Sequence, residues 1–287
     1  MKAIYYRELQ AYFSSPAGYV FIGFFLLISG FFFALANLLP GNSDYIDTLG
    51  SITFIFLIVV PLLTMKLMAE EMRHKTDQLL LTSPLRIADI VLGKYLAAVS
   101  VFLLTLLVTG IYPLIMNFYG YIAVWEIVGG YIGFFLLGAC FIAVGLFISS
   151  LTNNQTVAAV ATFATLLFIW IIDWVKQGIP TNRVAGLIFA GILAAGVTAF
   201  VYFNLRNIFA SILTGLLGAA VILIVYLVNP LFYHGLIIRF LDWFSLLQRF
   251  QGFAMGILSL NSVLYYLSFC FAFIFLTIRV IEKRRWS

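Results

Sequence analysis

Read for polarity alone, the chain alternates long apolar runs with short polar breaks. The runs cover about 17–39, 51–68, 90–116, 127–150, 156–175, 184–203, 208–228 and 263–281. At about 1.5 Å per residue, each can carry a helix through a bilayer core of about 30 Å. The breaks are rich in turn formers: Pro40, Gly41, Asn42 and Asp44 after the first run, Asn153 and Asn154 after the fourth, Asn204 and Asn207 between the sixth and seventh. Pro61 lies inside the second run, where its missing N–H predicts a kink. The pattern predicts an all-α polytopic membrane protein with eight spans and both termini on one side.

Two segments carry a different pattern. Over residues 1–15, Lys2, Tyr6, Arg7 and Gln10 share one helical face, opposite Ile4, Tyr5, Leu9, Tyr12 and Phe13. Basic residues opposite apolar and aromatic ones suit an interfacial helix, with Lys2, Arg7 and Tyr12 as its membrane contacts; the plain alternative is a lead-in to the first span. Within the interrupted stretch 229–262, residues 239–252 predict a second amphipathic helix. Phe240, Trp243, Phe244, Leu247 and Phe250 would face protein or lipid, and Arg239, Asp242, Ser245, Gln248 and Arg249 would face water. It reads as a re-entrant or surface-lying cap on the external side, with Asp242, Trp243 and Arg249 as its marked residues; the alternative is an ordinary external loop. Small residues recur at Gly129, Gly133, Gly138 and Gly145, and at Ala158, Ala161, Thr162 and Thr165. They let helices approach closely, either inside the bundle or at a dimer seam or substrate path.

Composition agrees with the spans. The 287 residues are 64% hydrophobic and 9% charged, against about 25% charged in soluble domains. The net charge of +5 comes from Lys and Arg flanking the spans, which points to orientation and anionic lipid and not to nucleic acid. With the termini cytoplasmic, only Lys176, Arg183, Arg239 and Arg249 of the 16 basic residues fall outside. That asymmetry predicts the orientation, although the 174–183 loop carries two of the four. Cys140 and Cys270 sit in apolar runs and read as buried free thiols, and His74 and His234 fall in different loops, so no metal site is expected. No cleavable signal peptide is expected either, since the first apolar run is long enough to span.

The span interiors hold no Asp, Glu, Lys, Arg or His; Lys66, Lys94, Asp173 and Arg279 read as span ends. Ion-coupled carriers usually keep such groups inside, so this reading is disfavoured. Gly93-Lys94 lacks the other glycine of a phosphate-binding loop, with Ala88 in its place. No hydrolase motif is present, so the chain is expected to be no enzyme and to hold no cofactor itself.

Charge instead concentrates in one island between the second and third spans: Lys66, Glu70, Glu71, Arg73, Lys75, Asp77, Arg86, Asp89 and Lys94. Residues 65–73 would continue the second span into the cytosol and expose Glu70 and Glu71. Thr76 would cap a short helix through Leu79, Leu80 and Leu81, whose side chains would enter a partner's groove. Ser83 and Pro84 would restart the chain toward the third span. Apolar anchors framed by charge are a usual interface design; the alternative is a solvated loop without a partner.

These residues resemble a known family. Ala69, Glu70, Glu71, Arg73, Thr76, the run 79–84 (Leu-Leu-Leu-Thr-Ser-Pro) and 90–95 (Ile-Val-Leu-Gly-Lys-Tyr) are similar to the cytoplasmic loop of ABC type-2 transporter permeases. Segments 2–19, 149–155, 242–250 and 281–286 resemble the gliding-motility-associated branch. Two positions depart from the loop pattern: Lys75 stands where Gly is common, and Gln78 where Glu is common. The resemblance implies the permease subunit of an ATP-driven exporter in a bacterial inner membrane. It implies a six-span core, so 184–228 would be an inserted two-span hairpin. It further implies a second permease copy or paralogue, two ATPase subunits that bind ATP and Mg, and an accessory membrane protein with a large external domain. The coupling contacts would be Glu70, Glu71, Arg73, Thr76, Asp77, Leu79, Leu80, Leu81, Thr82, Ser83 and Pro84, within a loop spanning 69–89. An ion-coupled secondary carrier and a non-transporting membrane scaffold are the other classes.

Overall fold

The computed structural model describes residues 1–42, 44–76, 86–120 and 122–286, and these are helical with no strand among them. Eight helical stretches among the described residues are long and apolar enough to cross a membrane: Pro16–Leu38, Tyr45–Arg73, Ile87–Phe118, Val124–Ser149, Gln155–Lys176, Arg183–Phe203, Ile208–Val228 and Leu260–Arg284. The chain divides into two compact units, one of Met1–Ile169 with Leu246–Ser287, the other of Trp170–Ser245.

The first unit opens with α1 (Lys2–Ser14) and α2 (Pro16–Phe33), which ends in a π turn over Ala34–Leu38. The second span follows as α3 (Tyr45–Ile52), a 3-10 turn, α4 (Phe56–Thr64) and α5 (Ala69–Arg73). It starts six residues before the expected Ser51, because Asp44 caps α3 by accepting from the Ile46 N–H at 3.1 Å. The polar-looking stretch after it is amphipathic: Tyr45, Leu49 and Ile52 are buried while Ile46 and Asp47 are not. Buried Asn37 holds the preceding turn, donating to the carbonyls of Asn42 at 3.0 Å and Asp44 at 2.8 Å and accepting from Thr48. Pro61 sits inside α4 without ending it; the interruption comes at 65–68, a turn later.

The third span is α6 (Ile87–Thr109) and α7 (Ile111–Tyr119), stepped at Gly110, and the fourth is α8 (Val124–Ser149). Helix α8 forms the centre of this unit, with 78% of its most apolar stretch buried. Phe56 packs on Phe102, Phe134 and Phe141 with ring centroids 5.6, 4.6 and 5.6 Å away. The small residues of α8 serve this internal packing. A side chain at Gly133 would strike Phe253, one at Gly138 would strike Phe102, and one at Gly145 would strike Thr64. The first unit also holds the start of α9 (Gln155–Gly178), α13 (Leu246–Ala254) and α14 (Leu260–Trp286). Cys140 and Cys270 are free and buried, with sulfurs 3.4 Å apart.

The second unit contains the hairpin of α10 (Arg183–Leu205) and α11 (Ile208–Val228), a 3-10 turn, and α12 (Leu236–Phe244). Arg206 takes a left-handed conformation between the two long helices, and the Asn207 side chain caps α11. Tyr233 donates to the Ile222 carbonyl at 2.8 Å, and its own carbonyl presses on Gly186. Only 6% of each hairpin helix's most apolar stretch is buried, so its Leu, Ile, Val and Phe side chains are left for lipid tails or other membrane helices.

The amphipathic segment 239–252 is not one helix. It is α12 and α13 with an extended Ser245 between them (ψ 112°). Ser245, expected on the polar face, is buried and donates to Asp173 at 2.6 Å; Trp243, expected on the apolar face, is 71% exposed. Within the first unit, Leu246, Phe250 and Phe253 of α13 are buried.

Candidate functional site

Helix α1 is fixed to the first unit along the line Ile4, Glu8, Tyr12, spaced four apart. Ile4 sits against Gly93, where a Cβ would come within 3.0 Å of its side chain. Tyr5 shares a 3.0 Å hydrogen bond with Ser100, and Tyr12 donates to the Leu63 carbonyl at 2.8 Å. The Met1 ammonium stands 3.9 Å from Asp89.

Between these anchors four charges close a ring. Lys94 Nζ reaches Glu8 Oε1 and Glu71 Oε1, each at 3.0 Å. Arg7 reaches the same two oxygens at 2.7 and 2.8 Å. Two cations and two carboxylates alternate, and the net charge is zero. Lys94 is 1% exposed, which such neutralisation alone makes tolerable, since an isolated buried ammonium costs several kcal/mol. It lies two turns inside α6 and is no mere span end. Partial burial of Arg7 would lower its pKa, but the bonds and charge of Glu8 and Glu71 outweigh this and hold it above the ordinary value.

Helix α5 reaches the ring because the second span breaks at 65–68. The hydroxyl of Ser149, at the end of α8, accepts from the N–H groups of Met68 (3.1 Å) and Ala69 (3.2 Å) and donates to the Met65 carbonyl (3.2 Å). One side chain thereby satisfies the broken ends. Ser149→Ala orphans two buried donors, so it is expected to cost about 1–3 kcal/mol in thermal unfolding of the detergent-purified protein.

At its other end α5 closes in a Schellman turn. The Thr76 N–H bonds to the Glu71 carbonyl at 3.0 Å and the Lys75 N–H to Met72 at 3.3 Å. Lys75 is left-handed there, with φ +56°. This is the position where the resembling permeases carry Gly, which takes that conformation without strain. Lys75→Gly is expected to stabilise the turn by about 1 kcal/mol, read as a raised Tm.

The expected coupling residues divide accordingly. Glu71 bonds Arg7 and Lys94 of its own chain. Thr76 sends its hydroxyl back to the Glu71 carbonyl at 3.3 Å, and Arg73 is exposed. Glu70 is half-buried and lines a cavity beside α1. Asp77, Leu79, Leu80, Leu81, Thr82, Ser83 and Pro84 lie outside the described residues. On α1, Lys2 and Arg7 are both exposed, Arg7 with its guanidinium bonded to Glu8 and Glu71, and Tyr12 is tied to the Leu63 carbonyl. Glu8 was missed. It is the only acidic residue before Asp44, and it falls in line with Ile4 and Tyr12, which was the available signal.

The second unit holds its own charged cluster. Lys176 bonds Asp173 at 2.5 Å and Asp242 at 2.8 Å, and Asp173 accepts from Ser245. Asp242 is thus a structural partner of Lys176, which lies in the last turn of α9 and not in the loop expected at 174–183. In the first unit, Arg249 lies over the Tyr265 ring, 3.5 Å from its centroid.

With this geometry in hand, residues 8–183 match the family model described as ABC-2 family transporter protein. The chain belongs to that family. The match begins at Glu8, takes in the ring apart from Arg7 and the first five spans, and stops at Arg183, the first residue of α10. No curated protein matches the chain. As an ABC-2 transporter it is a multi-pass transmembrane transporter subunit, of a family whose members typically work with an ATPase subunit. The hairpin and the last span lie beyond the matched region.

Proposed function

We propose that this ABC-2 protein is the permease subunit of an ATP-driven exporter in a bacterial inner membrane, with both termini cytoplasmic. Two copies of a separate ATPase subunit would bind ATP and Mg and do the chemistry, this chain being no enzyme. A second permease copy or paralogue would complete the path, and an accessory membrane protein with a large external domain would join them. Segments 2–19, 149–155, 242–250 and 281–286 resemble the gliding-motility-associated branch, which favours reading the chain as a member of that branch with a six-span core and an added hairpin.

The observation that carries the reading is the ring. Glu71 stands at the entrance to the 77–85 segment and is bonded to both Arg7 on α1 and Lys94 on α6. A pull on that segment therefore acts on the interfacial helix and the third span together. A partner that binds the segment differently in two nucleotide states would shift the membrane helices by that difference in affinity.

The test is copurification with the ATPase partner and its stimulation in liposomes. Leu80→Asp, which puts a charge into the expected groove, should reduce stimulation at least about tenfold while the spans stay folded. Transport driven by an ion gradient without ATP would favour the carrier reading instead. ATP hydrolysis that moves no cargo would favour the scaffold.

A further inference from the structure

A cavity of about 420 Å³ opens between α1, the start of α2 and the broken second span, within the roughly 300–1,000 Å³ range of small-molecule sites. Its charged lining is three cations, Arg7, Lys66 and Lys94, and three carboxylates, Glu8, Glu70 and Glu71. The ring uses four of these six. Lys66 and Glu70 are left, both half-buried and neither in an ion pair among the described residues. The Ser15 hydroxyl, which makes no hydrogen bond among the described residues, adds a donor to the wall. A half-buried charge without a partner is poorly solvated and favours a ligand that supplies its complement.

We propose that this cavity binds the zwitterionic headgroup of an ethanolamine-type phospholipid, phosphate against Lys66 and Ser15, ammonium against Glu70. Two features select this chemistry. The lining is neutral overall, so a lone anion would meet as many carboxylates as cations, whereas a paired phosphate and ammonium meets one free charge of each sign. Headgroup depth is also what the flanking helices favour: Tyr6 on α1 and Tyr19 on α2 are 66% and 61% exposed, and outward-facing tyrosines belong at the membrane interface. The headgroup would then wedge between the interfacial helix and the charged ring, and the lipid would brace α1.

The full chain, purified in detergent and stripped of lipid, is exchanged into micelles carrying phosphatidylethanolamine or phosphatidylglycerol, and retained lipid is counted by native mass spectrometry. Phosphatidylethanolamine should be retained over phosphatidylglycerol. Lys66→Gln and Glu70→Gln should each weaken that retention about tenfold, the scale of one charge-assisted hydrogen bond. Arg206→Gln, in the second unit, should leave it unchanged. Equal or better retention of phosphatidylglycerol overturns the proposal, as does retention indifferent to both substitutions. A thermal shift with inorganic phosphate as large as with the lipid would reveal a simple anion site and overturn it too. Should either variant fold poorly, a phosphatidylethanolamine with a photoreactive headgroup must label the peptide containing Lys66 and Glu70 in the unaltered chain. Labelling confined to other peptides counts against the site.

Discussion

With Glu8→Gln and Glu71→Gln introduced together, the protein is expected to lose about 3–5 kcal/mol of stability, the usual result of stranding a buried charge. Lys94 is 1% exposed, and its recorded ion-pair partners are these two carboxylates. Either substitution alone leaves one carboxylate 3.0 Å from the ammonium and should cost much less than half the total. Adding Lys94→Met to the double variant removes the stranded charge while keeping a long, flexible side chain. It should recover most of the loss, because replacing a buried ion pair by apolar groups is often neutral. Thermal unfolding of the unaltered chain and these four variants in one detergent decides the matter. If the double variant were no less stable than the singles, Lys94 would have another outlet for its charge and the ring would not be holding α1 in place.

The same ring marks where reading the sequence succeeded and where it could not. Spans are legible because hydrocarbon demands about twenty apolar residues in a row, and the eight apolar runs return as eight helical stretches. Their edges are less legible. Tyr45 to Gly50 looks polar in a linear scan, yet Asp44 caps it and one face is buried. The break at 65–68 has no local signature. Pro61, the visible suspect, stays inside α4, while the group that makes the break affordable is Ser149, some eighty residues on.

Charge shows the same limit. Lys94 looked like the tail of a cytoplasmic loop because its neighbours in sequence are charged. Its burial depends on Glu8 and Glu71, and no periodicity links three residues on three helices. The island reading gave Glu71 to a partner surface and had no means of seeing that its carboxylate also bonds Arg7 and Lys94. Ser245 failed for a related reason. A polar residue on a polar stripe looks solvent-facing until a distant Asp173 accepts its hydrogen bond. The glycines of α8 were legible as close-packing positions, but only the three-dimensional neighbours, Phe253, Phe102 and Thr64, decide that the close approach is internal.

Gly18→Ala should have an effect out of proportion to one methyl group. The chain turns between α1 and α2 at Ser15, which is extended with ψ 152°, and Pro16 begins α2. This turn folds Gly18 onto the backbone of α1, where an added Cβ would collide with the Tyr12 carbonyl oxygen. A flexible side chain could swing aside from such a contact; a carbonyl in a helix moves only with the helix. Tilting α1 away stretches at once the Tyr12 bond to Leu63 (2.8 Å), the Tyr5 bond to Ser100 (3.0 Å) and the Glu8 contact with Lys94 (3.0 Å). Overpacking usually costs about 1–3 kcal/mol, and the coupled losses place this variant at the upper end. Gly23→Ala is the matched control, because a Cβ there meets open space, and alanine in a helix is favoured over glycine by about 0.5–1 kcal/mol. Trypsin reports the outcome, since Arg7 is held in the ring and should be cut faster once α1 lifts. Gly18→Ala should show a lower Tm and faster cleavage after Arg7, and Gly23→Ala neither. Equal behaviour of the two would mean that α1 pivots freely about Ser15 and that its contacts are not what sets its position.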